Sequence, residues 1–363
     1  MNKAVKLALI ILPLVANVAH ASPSQKETMA QQLPVWLSES NTPAAAVGYI
    51  EQGIVKWTLV EGKKNQEEVA ERDTLFNVAS LMKPVTAQLA LILESKQRYS
   101  LQDKAQKYWV DEDIKSHEWL PELAIHHLLS HQSGFPNWRY QTNDTLGFIF
   151  KPGSRPGYSG EGYQYLAEIM QAVTGNKLDE LAKQHLLDPL NMHNTYLLLS
   201  EEKKHRVAQP TDAEGNYLSP QFALKVNAAD DLYTSVTDYT QFVAAVMNGF
   251  GLSEKQDHSR WQISHDMSQQ ICDSGRLPRE HCPSKMGFTQ GWARFDYANS
   301  SFYAQGGGDA GVRALAVIEP SSQKAVVVFT NGDNGMSVIR QVVWSLLRNP
   351  HYDAFLAMQA GEL

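Results

Sequence analysis

Apolar and polar positions divide the chain into three stretches. Ala45–Glu51 and Ile54–Glu61 read as two strands, with a turn at Gln52-Gly53 between them. Residues 84–96 are apolar almost all round, which predicts a helix buried on most sides. Through roughly residues 76–284 the pattern is mainly helical, cut by the loops Lys151-Pro152-Gly153 and Arg155-Pro156-Gly157. Helices are predicted over 161–174, stopped by Gly175, and over 229–248, stopped by Gly249. From about residue 288 strands take over: Gln290–Tyr297, Ser301–Ala304, Val312–Glu319 and Lys324–Thr330, punctuated by Pro320-Ser321-Ser322 and Asn331-Gly332. A last helix is predicted near Ser337–Arg348. Strands at both ends, joined in short hairpins, predict an α+β fold with an antiparallel sheet built from both termini and flanking helices. A mostly helical lobe (about 76–284) is inserted in the sheet lobe (about 35–75 and 285–363). The chain shows no internal repeat and no low-complexity tract.

The first 21 residues follow a different logic. Lys3 and Lys6 precede an apolar run from Leu7 to Ala16, and Ala19-His20-Ala21 fits a small-residue cleavage site. The run is ten residues, about half of what a membrane span needs. Residues 1–21 are therefore expected to be a signal peptide, giving an exported protein, periplasmic or secreted, whose mature part (22–363) does not span a membrane.

Composition narrows the function. The chain has 363 residues, is 43% hydrophobic and 20% charged, and carries a formal charge of −7, all ordinary for a folded globular protein. Without a basic block, nucleic acid is not an expected partner, since phosphate neutralisation needs clustered Lys and Arg. Oligomeric state leaves no trace in the sequence. Cys272 and Cys282 are the only cysteines, and in an exported chain they are expected to form a disulfide. No metal or cofactor pattern is present. His127 and His131 have i, i+4 spacing but lack an H-E-x-x-H context, so packing is their expected role.

The candidate chemistry is an S-x-x-K tetrad, Ser80-Leu81-Met82-Lys83. On a helix, residues i and i+3 share a face, so hydroxyl and amine can meet. Pro84 belongs in a first helical turn, which puts the helix start close to Ser80 and leaves free N–H donors beside it. A buried lysine there has its charged form disfavoured and can take the serine proton.

The segment Phe76–Ala87 around this tetrad resembles the nucleophile segment of the class C β-lactamase and D-alanyl-D-alanine peptidase superfamily of serine hydrolases. His126–Gly134 is similar to a structural stretch of the same family. Pro156-Gly157-Tyr158-Ser159-Gly160 resembles its second motif, usually Tyr-x-Asn, and Gln305-Gly306-Gly307 its third, usually Lys or His, any residue, Gly. The resemblance runs from about residue 30 to 348. It implies a β-lactamase/transpeptidase-like fold with the site between the lobes. It also implies Ser80 as nucleophile, with Lys83 and Tyr158 as acid/base groups; which of the two starts acylation stays open. The N–H groups of Ser80 and Gly308 would form the oxyanion hole, with Gly160, Gln305, Gly306 and Gly307 contacting substrate. Gly160 stands where Asn is usual and Gln305 where a cation is usual, which weakens the expectation of β-lactam hydrolysis and carboxylate recognition. Ser159 lies in a near G-x-S-x-G pattern but lacks the preceding strand, so helix capping is its expected role. The expected activity is cleavage of a small-molecule or peptide-like ester or amide through an acyl-enzyme. The alternatives are a carboxylesterase on the same scaffold and a catalytically feeble binding protein that keeps the pocket.

Overall fold

The structure is a computed structural model and describes residues 24–362; the expected signal peptide lies outside the described residues. The strands, in chain order, are β1 Ala44–Glu51, β2 Ile54–Gly62, β3 Phe76–Asn77, β4 Thr195–Tyr196, β5 Tyr233–Thr234, β6 Lys285–Phe288, β7 Ala293–Tyr297, β8 Ser300–Asp309, β9 Val312–Glu319 and β10 Lys324–Thr330. The helices are α1 Gln25–Glu39, α2 Met82–Ser95, α3 Ile125–Leu129, α4 Gly160–Thr174, α5 Leu178–Ala182, α6 Val236–Met247, α7 Glu254–Ser259, α8 Ser268–Asp273, α9 Gly335–Leu347 and α10 Pro350–Ala360.

Seven strands form one antiparallel sheet in the order β2-β1-β10-β9-β8-β7-β6. This is the mixed architecture expected, with strands from both ends of the chain meeting at the β1–β10 pair, where Val47 faces Val328. The central strands are apolar on both faces because both are covered. Ala46, Val327, Phe329 and Ala316 point to the side of α2, α4 and α6, while Val47, Val326, Val328 and Val317 point to the side of α1, α9 and α10. Burial on two faces removes the alternation that a half-exposed antiparallel strand shows. Among the described residues no helix is long and apolar enough to cross a membrane.

Local signals set the helix ends. Ser24 and Glu27 form a reciprocal capping box at the start of α1. Ser159 and Ser235 accept backbone N–H bonds at the starts of α4 and α6, and Gly175 ends α4 in the left-handed region.

One predicted helix is shorter than expected. The stretch read as 229–248 turns helical only at Val236. Its first residues cannot continue a helix because their polar groups are taken from outside: the carbonyls of Ala228 and Ala229 accept from Thr86 and Lys83, the Leu232 carbonyl accepts from Val78, and Asp231 has φ +60°.

Cys272 and Cys282 are joined, with Cα atoms 5.8 Å apart. The bridge closes a short loop, worth about 2–3 kcal/mol in the chain-entropy account. Non-reducing peptide mapping of protein from an oxidising compartment should recover these two peptides linked; two alkylatable thiols in the native protein would contradict the bridge.

Candidate active site

Ser80 lies in a tight 3-10 turn, Ala79–Leu81, that runs straight into α2. Ala79 just before it has φ +46°, a left-handed conformation unfavourable for an L-residue. The turn is held in place from several directions. Asn77 Oδ1 accepts from Ala79 N–H at 2.9 Å, and buried Tyr239 on α6 donates its hydroxyl to the Leu81 carbonyl at 2.8 Å. Pro84 sits in the first turn of α2, as its missing N–H requires. Lys83 is fully buried, and its Nζ donates to Ser80 Oγ at 2.9 Å and to the Ala229 carbonyl at 2.7 Å. The S-x-x-K spacing thus delivers hydroxyl and amine to one point.

Tyr158 closes the other side. Its ring centre is 4.7 Å from Lys83 Nζ. Gln305 Nε2 donates to the Tyr158 hydroxyl oxygen at 3.2 Å and to the Gly306 carbonyl at 2.8 Å. The carbonyl only accepts, which fixes the amide with nitrogen toward Tyr158 and leaves the phenolic proton free for another acceptor. The departure at Gln305 therefore replaces a cation by a neutral donor aimed at the tyrosine.

His131 is a site neighbour that spacing did not reveal. It stacks on Tyr158 with centroids 4.3 Å apart and planes 29° apart. Helix α3 ends at Leu129, and His131 has φ +55°, so His127 and His131 do not share a helix face. Ser159 N–H donates to His131 Nδ1 at 3.1 Å. Complete burial, and then the nearby Lys83 charge, hold the imidazole well below its usual pKa, so it is a neutral ring protonated on Nε2. Ser159 itself is buried, donates to the Pro136 carbonyl at 2.7 Å and accepts from Gly162 N–H at 2.9 Å, the capping role expected of it.

The triple glycine belongs to β8, which is longer than predicted, and Gly307 and Gly308 pair with Ala314 and Arg313. A Cβ on Gly307 would lie 2.1 Å from the Val78 carbonyl oxygen, so only glycine lets β8 approach the Ser80 turn this closely. Gly160, on the opposite wall, is glycine for a comparable reason: a Cβ there would lie 2.6 Å from the Trp138 indole. The space an asparagine side chain would fill is occupied by Trp138, whose ring also comes within 5.9 Å of Lys83 Nζ.

The Beta-lactamase family model matches residues 25–342. The chain belongs to this family. An unguisins hydrolase from Aspergillus violaceofuscus is 25% identical over 300 residues, 72% of this chain and 53% of that protein. Penicillin-binding protein 4* of Bacillus subtilis is 29% identical over 148 residues, 34% of this chain and 30% of that protein. The chain thus spans about half, or less, of the length of these two relatives. Among solved structures, the octameric penicillin-binding protein homologue from Pyrococcus abyssi superposes with a TM-score of 0.75 at 20% identity, covering 90% of this chain and 78% of that one. A class C beta-lactamase superposes with a TM-score of 0.73 at 17% identity, covering 91% and 98%. At such identities the likeness to solved structures is one of fold.

The charged groups bordering this cleft are held by specific partners or shifted by burial. Arg313, the cation nearest the third motif downstream, is engaged: Nη1 donates to the carbonyls of Asp309 and Val312 at 2.6 and 2.7 Å, and Nη2 pairs with Asp333 at 3.0 Å. Asp230, next to the Ala229 carbonyl that holds Lys83, has its pKa pushed up to about 6. Burial is the main cause, with Asp231 and Asp309 adding to it and Lys83 opposing. Below about pH 4 the group is protonated in both states; between about pH 4 and 6 the unfolded chain has released the proton that the folded state still holds, so stability falls through that window and the loss is complete above about pH 6. The rise from 3.8 to about 6 is worth up to about 3 kcal/mol. Urea unfolding at pH 4 and pH 7 should show a smaller decline for Asp230→Asn than for the parent by an amount of that order; an identical decline would rule out this group as the cause.

Proposed function

We propose that the protein is an exported serine hydrolase that cleaves an ester or amide bond through an acyl-enzyme on Ser80. The observation that carries this reading is the contact of the buried Lys83 amine with Ser80 Oγ at 2.9 Å, with the Tyr158 ring stacked over the same amine. Lys83 takes the Ser80 proton as Oγ bonds to the substrate carbonyl carbon. The resulting oxyanion is held by the N–H groups of Ser80 and Gly308. Tyr158, steadied by Gln305 and His131, gives its phenolic proton to the leaving group as its bond to carbon breaks, and recovers a proton from the Lys83 ammonium. Water then attacks the acyl-enzyme by the reverse proton path and frees Ser80.

The carboxylesterase reading of this site is favoured over β-lactam or D-alanyl peptide cleavage by one set of observations. Gln305 carries no charge, Arg313 is held by three acceptors, and Asp230, which feels the Lys83 charge, sits in the negative field of Asp231 and Asp309. A substrate carboxylate would find no free cation among these groups, and charge-assisted hydrogen bonds are about twice as strong as neutral ones. The kcat/KM for p-nitrophenyl butyrate is expected to exceed that for nitrocefin and for a D-Ala-D-Ala peptide by at least tenfold. A protein that hydrolyses nitrocefin efficiently and ignores the neutral ester would overturn the esterase reading. Absence of any burst of p-nitrophenol would favour the binding protein instead.

A further inference from the structure

The cleft does not end at Tyr158 and Gln305. Strand β7 pairs with β8 only as far as Ala304, so from Gln305 onward that edge of β8 has no strand partner. A groove of about 500 Å³ opens there, lined at its mouth by Tyr158, Gln305 and Gly307 and continuing between the sheet and helices α9 and α10. Its walls are Phe288, Phe295, Leu315, Met336, Phe355 and Leu356. Among the described residues no carboxylate lines it, and its single cation is Arg313, already bound to Asp333. Gly306 faces open space, because a Cβ there would meet only the Ala314 carbonyl oxygen, at 3.9 Å. The far wall comes from α10, which begins at Pro350, beyond residue 342 where the family match ends.

We infer that the groove holds an unbranched alkyl or acyl chain of the substrate, so that medium-chain esters are preferred to acetates. The occupant follows from two features. Tyr158, Gln305 and Gly307 border both the groove and the surroundings of Ser80, so a chain attached to the group at Ser80 can pass the free edge of β8 into it, and the lining offers that chain apolar contact with no free charge. The catalytic consequence rests on the serine-hydrolase reading; binding of the chain does not require Ser80 to react. Each fully buried methylene is worth roughly fourfold in affinity, so a six-carbon extension that is only partly covered should gain at least tenfold.

Two chain-length series test this, p-nitrophenyl acetate against octanoate, and ethyl acetate against octyl acetate, which carry the chain on the acyl and alcohol sides. In at least one series the wild-type kcat/KM should rise at least tenfold with length. Met336→Trp and Gly306→Leu, which fill the groove from opposite walls, should each cut that ratio about tenfold. The same comparison is made by calorimetric titration of the inert Ser80→Ala protein, alone and with Met336→Trp. Long-chain binding that is at least tenfold tighter, and is lost with Met336→Trp, supports the groove even if turnover is absent, and would then count against the hydrolase reading alone. Ser80-dependent turnover with a flat chain-length profile overturns the groove and leaves the hydrolase reading standing. A preference that neither filling variant changes also overturns it, since the chain then binds elsewhere.

Discussion

Ser80→Ala is expected to lower kcat at least about 10³-fold, with Lys83→Ala nearly as damaging. Groups that act as a unit in nucleophilic catalysis fail together, so removing either should cost about as much as removing both. The geometry makes the unit tight. Ser80 and Lys83 are separated by 2.9 Å, and the lysine is anchored on the far side by the Ala229 carbonyl. Without Lys83 the Ser80 hydroxyl loses its proton acceptor; without Ser80 the amine has nothing to activate. The measurement is kcat for a p-nitrophenyl ester in the two single variants and the double variant. Strict additivity, with the double variant near the product of the two losses, would show that the residues do not work together. Retention of most activity in Ser80→Ala would remove Ser80 from the chemistry.

Gly307→Ala should cost about 10²–10³-fold in kcat, an effect of the size seen when one oxyanion-hole donor is lost. The added Cβ would stand 2.1 Å from the Val78 carbonyl oxygen and 3.1 Å from Leu81 Cδ1, so either β8 or the Ser80 turn must shift. Any shift separates the Gly308 N–H from the Ser80 N–H, and a misplacement of about 1 Å can cost 10²-fold. The same overpacking should lower stability by about 1–3 kcal/mol. Gly306→Ala is the comparison, because its Cβ points to the open side of the same strand. Gly307→Ala should lose at least tenfold more kcat than Gly306→Ala; equal losses would mean that flexibility of the triple glycine, not close approach, is what matters.

Much of this architecture is legible in the sequence, and the reasons are physical. The hairpin β1–β2, the paired strands β9 and β10, and helix α4 carry their turn and capping signals locally, at Gln52-Gly53, Pro320-Ser321-Ser322, Ser159 and Gly175. The contact between Ser80 and Lys83 is likewise local, fixed by helical spacing and Pro84. What escaped depends on partners far along the chain. Residues 228–235 have helix-compatible side chains but give their carbonyls to Lys83, Thr86 and Val78, more than 140 residues earlier. The role of His131 beside Tyr158 follows from a backbone turn that spacing does not encode. Gly160 reads in the sequence only as a departure from the usual Asn, and it is the fold that identifies Trp138 as what takes the space. Helix α10 leaves no helical stripe in the sequence because its apolar residues lie on several sides: Tyr352, Phe355 and Leu356 pack under the sheet while neighbouring Ala357 and Met358 are also buried. The far half of β8 is not legible because three successive glycines read as a loop until the β9 register is known.

In the proposed mechanism Ser80 is the residue that becomes acylated. The most direct test is labelling of the native protein with a fluorophosphonate serine probe, followed by peptide mapping. A single adduct is expected, on the Ser80 peptide, and strongly reduced in Lys83→Ala. An adduct on Ser133 or Ser159, or labelling of Ser80 that is indifferent to Lys83, would contradict it.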